Sequence, residues 1–154
     1  MEGMNIRRRT EGERPPMELL LLADPSEPLV LEYLERGMCY LAESEDGVTV
    51  GVYVLLPTRP ETVELVNVAV AEPLHGRGIG KRLVQHAVRT AAEAGFRTIE
   101  VGTGSTGVAQ LALYQKCGFR MTGIDRDFFV RHYAEPIYEN GMRLRDMVRL
   151  SQDL

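Results

Sequence analysis

The densest chemical signal in the chain is the run His75-Gly76-Arg77-Gly78-Ile79-Gly80-Lys81. Glycine at alternate positions removes the Cβ atoms that would keep a ligand away from the backbone. Downstream, Leu83, Val84, Ala87, Val88 and Ala91 recur at three- and four-residue steps, the apolar stripe of a buried helix face. A helix starting near Gly80 leaves its first N–H groups without partners and turns the positive end of its dipole toward the glycines, which favours an anion there. Arg77, Lys81 and Arg82 add positive charge. The pattern predicts a phosphate cradle. It is not a P-loop, because His75 stands where the first glycine is required and Arg82 where the magnesium-binding hydroxyl belongs.

The pattern that does fit is Q/R-x-x-G-x-G/A. With the strand VNVAV just upstream, the stretch resembles the acyl-CoA signature of the GNAT N-acetyltransferase superfamily. His75 departs from the Gln or Arg usual at its position. Further on, Leu113-Tyr114-Gln115-Lys116-Cys117-Gly118-Phe119 resembles the second GNAT signature, which ends the penultimate helix. The family often carries Asn shortly before it, touching the cofactor. Here Gly104, Ser105 and Thr106 occupy that region, so Ser105 or Thr106 substitutes or the contact is missing.

A second glycine pattern competes. Gly102, Gly104 and Gly107 match G-x-G-x-x-G between an expected strand and helix, with Asp125 near the end of the next strand. A dinucleotide fold needs more chain than this. The helix has about three turns, fewer than thirty residues follow Asp125, and the N-terminal part lacks a βαβ rhythm.

The resemblance implies acetyl transfer from acetyl-CoA to a primary amine by direct attack on the thioester. That reaction needs an anchored cofactor, an oxyanion donor, a route for the amine proton and an acid for the departing thiolate. On the matching positions, the pyrophosphate falls to His75, Gly76, Arg77, Gly78, Ile79, Gly80 and Lys81. The backbone of Val68 and Val70 pairs with the pantetheine amides as an added strand. The N–H of Val70, beside an expected bulge, is the oxyanion donor. Tyr114 matches the tyrosine acid. Glu64, six residues before Val70, matches the glutamate base of histone-type members, although it also reads as a charged strand start and a water chain can serve instead. Asp125, Asp127, His132 and Glu139 are rival bases. Phe128, Phe129, Tyr133 and Tyr138 wall an acceptor pocket or pack in the core.

A small-molecule amine is the first reading of the acceptor, and a protein N-terminus or lysine the rival. A non-catalytic acyl-CoA-binding regulator would keep the cradle but has no need of Tyr114. The resemblance is compatible with a homodimer. No metal site is expected, since His75, His86 and His132 have neither an i,i+4 pair nor a cysteine neighbour.

The elements that position these residues follow from patterning. Residues 5–10 read as an edge strand, 17–22 and 27–36 as helices, the second capped by Ser26 and stopped by Gly37. Strands follow at 38–43 and 48–56, with a turn at 57–60. Val66, Val68 and Val70 alternate with Leu65, Asn67 and Ala69, so the next strand is apolar on both faces and central. Pro73 ends it. After the long helix and its Gly95 cap come a strand at 97–101, a helix at 109–117 capped by Ser105 or Thr106, and a strand at 119–124. Residues 125–141 read as irregular with an Asn140-Gly141 turn, and 142–150 as the last strand. The order β-α-α-β-β-β-α-β-α-β-β resembles the GNAT fold: α/β, a mixed, mostly antiparallel sheet of about seven strands with helices on both faces, one domain over 1–154.

Composition sets the bounds. With 154 residues, 44% hydrophobic and 26% charged, the chain is long enough for a sizeable core. A net charge of −4 argues against a nucleic-acid partner, and Arg7, Arg8 and Arg9 read as a solvated strand end. Cys39 and Cys117 read as free, mostly buried thiols in a reducing cytoplasm. No stretch is apolar enough for a membrane span, and Met1 opens onto polar sequence rather than a signal peptide.

Overall fold

The strand expected at the centre forms over Thr62–Val70 (β4) in the computed structural model, which describes residues 3–154. The reading of Met1 lies outside the described residues. Before β4 come β1 (Asn5–Arg8), α1 (Met17–Ala23), α2 (Glu27–Arg36), β2 (Met38–Glu43) and β3 (Thr49–Arg59). After it come a 3-10 turn (Glu72–Leu74), α3 (Ile79–Glu93), β5 (Thr98–Gly104), α4 (Val108–Lys116) and β6 (Arg120–Asp125). The chain finishes with α5 (Phe128–Arg131), β7 (Ile137–Glu139), β8 (Met142–Leu144) and β9 (Met147–Asp153).

Seven strands form one sheet in the order β1-β2-β3-β4-β5-β9-β6, and β4–β5 is its parallel pairing while the others are antiparallel. Each face buries its own core. On one, Leu19, Leu20, Val30 and Leu34 of α1 and α2 pack on Leu41, Val52, Val54 and Ala69. On the other, the stripe Ile79, Leu83, Val84, Ala87 and Ala91 of α3 packs on Tyr53, Leu55, Val63 and Leu65, with Tyr114 and Phe119 continuing the layer. Each fully buried aliphatic side chain is worth about 1.5–3 kcal/mol, so the stripe read from sequence is what fixes α3 to the sheet. No helix among the described residues is long and apolar enough to cross a membrane.

Several local expectations are revised. β3 runs through Pro57 to Arg59 instead of turning at 57–60; β2 pairs with it only as far as Leu55, so a missing N–H beyond that point breaks no ladder on that side. The irregular 125–141 segment contains α5 and β7. The expected last strand is two, with β8 paired to β7 in a separate hairpin and β9 in the main sheet. Arg7 is not simply solvated: it donates to Glu13 (2.7 and 2.9 Å) and to Glu43 (2.7 Å). The bonds from Arg7, and then the Thr10 N–H, lower the Glu13 pKa to about 2. Cys39 and Cys117 are free thiols, the first buried and the second half-buried.

Candidate active site

β4 owes its role to where it loses its neighbour. β3 pairs Gly51 with Val70, Val52 with Ala69, Tyr53 with Val68 and Val54 with Asn67, then slips so that Leu55 faces Leu65. Val66 is therefore the extra residue of a bulge, which lies at Val66 rather than beside Val70 as expected. β5 accompanies β4 only from Thr62 to Leu65, so beyond the bulge the two strands part. The N–H of Ala71 donates to Val50 O at 2.9 Å, toward β3. At two-residue steps Ala69 does the same, and Val68 and Val70 turn their N–H and C=O into the gap left by β5. The bulge also changes the faces: Val63, Leu65, Val68 and Val70 lie on the α3 side, whereas Asn67 reaches Leu20 O of α1 at 3.0 Å.

The cradle stands at the upper end of this gap. His75 donates from Nε2 to the Val70 carbonyl at 2.7 Å; a carbonyl only accepts, so this nitrogen carries the hydrogen. Gly76 (φ 82°) and Gly78 (φ 78°) are left-handed, and a Cβ added at either would meet nothing within 4 Å. Gly78 is the N-cap of α3 and offers no side-chain cap. The first helical bond runs from Arg82 N to Gly78 O (3.2 Å), which leaves the N–H groups of Ile79, Gly80 and Lys81 for an anion.

α4 supplies the opposite wall. A cleft of about 290 Å³ is lined by Val68, Val70, His75, Gly76, Gly78, Ile79, Gly80 and Tyr114, all of them residues singled out in the sequence. Leu74, Ala109, Gln110 and Leu113 complete it and were missed. Helical spacing could have found part of that set, since Gln110, Leu113 and Tyr114 stand at i, i+3 and i+4. Tyr114 is 5% exposed and meets Phe119 edge-on at 5.9 Å. Among the described residues its hydroxyl has no hydrogen-bond partner in the protein, and burial pushes its pKa up.

Arg77, Lys81 and Ser105 are exposed and do not line the cleft. Ser105 donates its N–H to Asp146 O (3.0 Å). Thr106 is not the expected helix cap; its hydroxyl donates to Glu139 (2.9 Å) and its carbonyl accepts from Asn140 (2.7 Å).

Glu64 lies across the sheet from α3, its side chain 21% exposed and 3.4 Å from Arg149 Nη1. Burial raises its pKa, while Arg149 pulls the other way. The rivals are otherwise engaged or remote. Asp125 faces Arg149 at 3.8 Å, Asp127 stands at the N-cap position of α5 with φ 60° and without a side-chain cap, and Glu139 holds Thr106. His132 is exposed and meets the Phe128 ring at 4.7 Å with the planes tilted by 53°. Phe128, Phe129 and Tyr133 form one cluster, and Tyr133 donates to Asp24 at 2.9 Å. Tyr138 is 69% exposed and stands apart from them.

The second glycine pattern is steric. A Cβ at Gly102 would stand 2.4 Å from Met147 Sδ, at Gly104 2.6 Å from Leu144, and at Gly107 2.9 Å from Gln110 Oε1. These glycines admit side chains of β8, β9 and α4. Among the described residues no group of three or more His, Cys, Asp or Glu gathers as a metal site.

This geometry has counterparts. The acetyltransferase (GNAT) family profile matches residues 6–119. A Bacillus subtilis (strain 168) N-acetyltransferase, YvbK, is 55% identical over 154 residues, covering 100% of this chain and 99% of its own. A solved IAA acetyltransferase from Bacillus cereus ATCC 14579 is 54% identical with a TM-score of 0.94, over 98% of this chain and 99% of that one. A GNAT family acetyltransferase from Elizabethkingia anophelis with acetyl-CoA bound is 42% identical with a TM-score of 0.97, over 100% of both chains.

Proposed function

The chain belongs to the acetyltransferase (GNAT) family, and from that premise we propose that it transfers the acetyl group of acetyl-CoA to the primary amine of a small molecule by direct attack on the thioester. The observation that carries this reading is convergence: an unpaired strand edge, an open glycine cradle and a buried phenol border one cleft of about 290 Å³.

Acetyl-CoA supplies an activated acyl group on a thiolate leaving group. The residues divide the remaining work. The N–H groups of Gly76, Gly78, Ile79 and Gly80 receive the pyrophosphate, with Arg77 and Lys81 adding charge from the rim. Val68 and Val70 offer the strand edge to the pantetheine amides. The N–H of Val70 donates to the oxyanion as the nitrogen–carbon bond forms. His75 occupies one lone pair of the Val70 carbonyl, in the peptide plane whose N–H, that of Ala71, donates to Val50 O; the two bonds together hold the strand end that follows the Val70 N–H. As the carbon–sulfur bond breaks, Tyr114 donates to the thiolate, and the proton lost by the amine passes to Glu64 through water. The hydrogen bond from Tyr133 to Asp24 ties the segment after α5 to the α1–α2 loop, a closure that favours a compact acceptor over an extended polypeptide.

A thiol-release assay with acetyl-CoA tests the reading across amines, polyamines, aminoglycosides, peptides and IAA. Turnover is expected with a small primary amine and not with peptides. Turnover confined to peptides would move the acceptor to proteins, and acetyl-CoA binding without release for any acceptor would leave a regulator.

A further inference from the structure

Glu64 is held from two strands away. Glu64 and Glu100 are register partners across β4 and β5, and two residues along β5 the same face carries Gly102. Gly102 pairs with Arg149 of β9. With no side chain at Gly102, Arg149 lies across β5; an added Cβ would stand 3.2 Å from its Nη1. The guanidinium then donates to Glu64 Oε1 at 3.4 Å, stands 3.8 Å from Asp125 Oδ2, and places Cζ 5.8 Å from the Phe128 ring centroid. Contacts from β4, β6 and α5 thus fix one side chain of β9.

We propose that Arg149, seated over Gly102, is the positioning residue for Glu64, fixing where its carboxylate points on the face opposite the cofactor cleft. The inference rests on the reading of Glu64 as the base. It also gives the first glycine of the unused G-x-G-x-x-G pattern a role: Gly102 is the gap through which Arg149 reaches β4. The charged groups facing Glu64 are Arg149 from β9, Glu100 from β5 and Arg59 from β3. Burial and Glu100 favour the protonated carboxyl, whereas Arg149 and Arg59 favour the ionised one. A base works ionised, so activity limited by Glu64 falls as pH drops through its pKa, and removing Arg149 must move that fall to higher pH.

The test is kcat/KM against pH for wild type, Glu64→Gln, Arg149→Gln, Arg149→Lys and Gly102→Ala, with acetyl-CoA affinity and melting measured alongside. Glu64→Gln should remove the part of the acid limb set by Glu64 and leave only the fall that follows protonation of the free amine. Arg149→Gln should raise the part set by Glu64 by about half a pH unit or more and lower kcat at pH 7, with acetyl-CoA affinity retained because Arg149 does not line that cleft. Arg149→Lys should bring the limb part of the way back. Gly102→Ala keeps the charge and crowds Nη1 at 3.2 Å, but its Cβ also stands 2.4 Å from Met147 Sδ; made together with Met147→Ala, and compared with Met147→Ala alone, it should shift the limb in the same direction even where Arg149→Gln fails to fold. An acid limb left unchanged from wild type in Glu64→Gln removes Glu64 as base, and the proposal with it. A limb that loses this part in Glu64→Gln but stays in place in the Arg149 and Gly102 variants leaves the base standing and overturns the role of Arg149.

Discussion

Tyr114 is constrained more by its surroundings than by its intrinsic acidity. Burial raises its pKa, so the phenol stays protonated through neutral pH and is a reluctant proton source in the ground state. In the proposed mechanism its use is as a donor aimed at a thiolate whose charge develops only as the carbon–sulfur bond breaks, which makes position the deciding variable. The ring is held by packing, edge-on to Phe119 at 5.9 Å, and no hydrogen bond to a described residue restrains the hydroxyl. Tyr114→Phe therefore keeps the packing and removes only the donor. Turnover should fall about 10²-fold, with acetyl-CoA affinity and melting temperature nearly unchanged. Single-turnover kinetics beside calorimetric titration separate the two effects. A rate within about threefold of wild type with chemistry rate-limiting would remove Tyr114 as the acid.

At the scale of the element, the N-terminus of α3 is the proposed anion site, because its first N–H groups have no side-chain cap. Gly78→Val puts a branched side chain into the open space above the cradle and should weaken acetyl-CoA binding by about 2 kcal/mol, the scale of lost charge-assisted hydrogen bonds. A β-branched residue at φ 78° also strains the backbone by about 1–2 kcal/mol. Gly47, at φ 79° and with nothing within 4 Å of an added Cβ, is the matched control. Gly47→Val should lower the melting temperature as much and leave titrated affinity intact; equal loss of affinity in both would remove the cradle assignment. Elements such as α3 were legible because their signals are local: the apolar stripe, and for α2 the Ser26 hydroxyl accepting from Leu29 N. The interruption between β8 and β9 was not. There the Arg145 carbonyl accepts from Phe129 N, the Asp146 carbonyl from Ser105 N, and the Asp146 carboxylate from Asp127 N. The backbone at 145–146 serves distant elements instead of a ladder, and no residue near it announces that. The bulge at Val66 likewise exists only against β3, and the seat of Arg149 over Gly102 needs three strands in place.

The whole molecule is two half-sheets joined along a short seam, with the cleft where the seam ends. β1 to β4 make one half and β5, β9 and β6 the other, joined by pairing of Thr62 to Leu65 with Thr98 to Val101. Arg59 to Glu100 (2.7 Å) and Arg149 to Glu64 (3.4 Å) cross the same line. The cleft draws Val70 and Gly78 from one half with its helix, and Leu113 and Tyr114 from α4, whose end is tied to β9 of the other by Gln152 donating to the Cys117 carbonyl at 3.0 Å. A ligand in it touches both, so its affinity should depend on the seam. Leu65, 2% exposed at the last paired position, tests this against Leu20, 0% exposed on α1 in the core of the other face. Either change to Ala should cost about 2–5 kcal/mol, which at this chain length lowers the melting temperature by roughly 5–15 °C. Acetyl-CoA at about 100 times its wild-type Kd adds about 2.7 kcal/mol to a protein that binds it unimpaired. Leu20→Ala should keep that full gain. Leu65→Ala should show a clearly smaller one, because loosening the seam separates the two walls the ligand must bridge. Equal gains in the two variants would mean that β4 and α3 bind the cofactor without help from the other half.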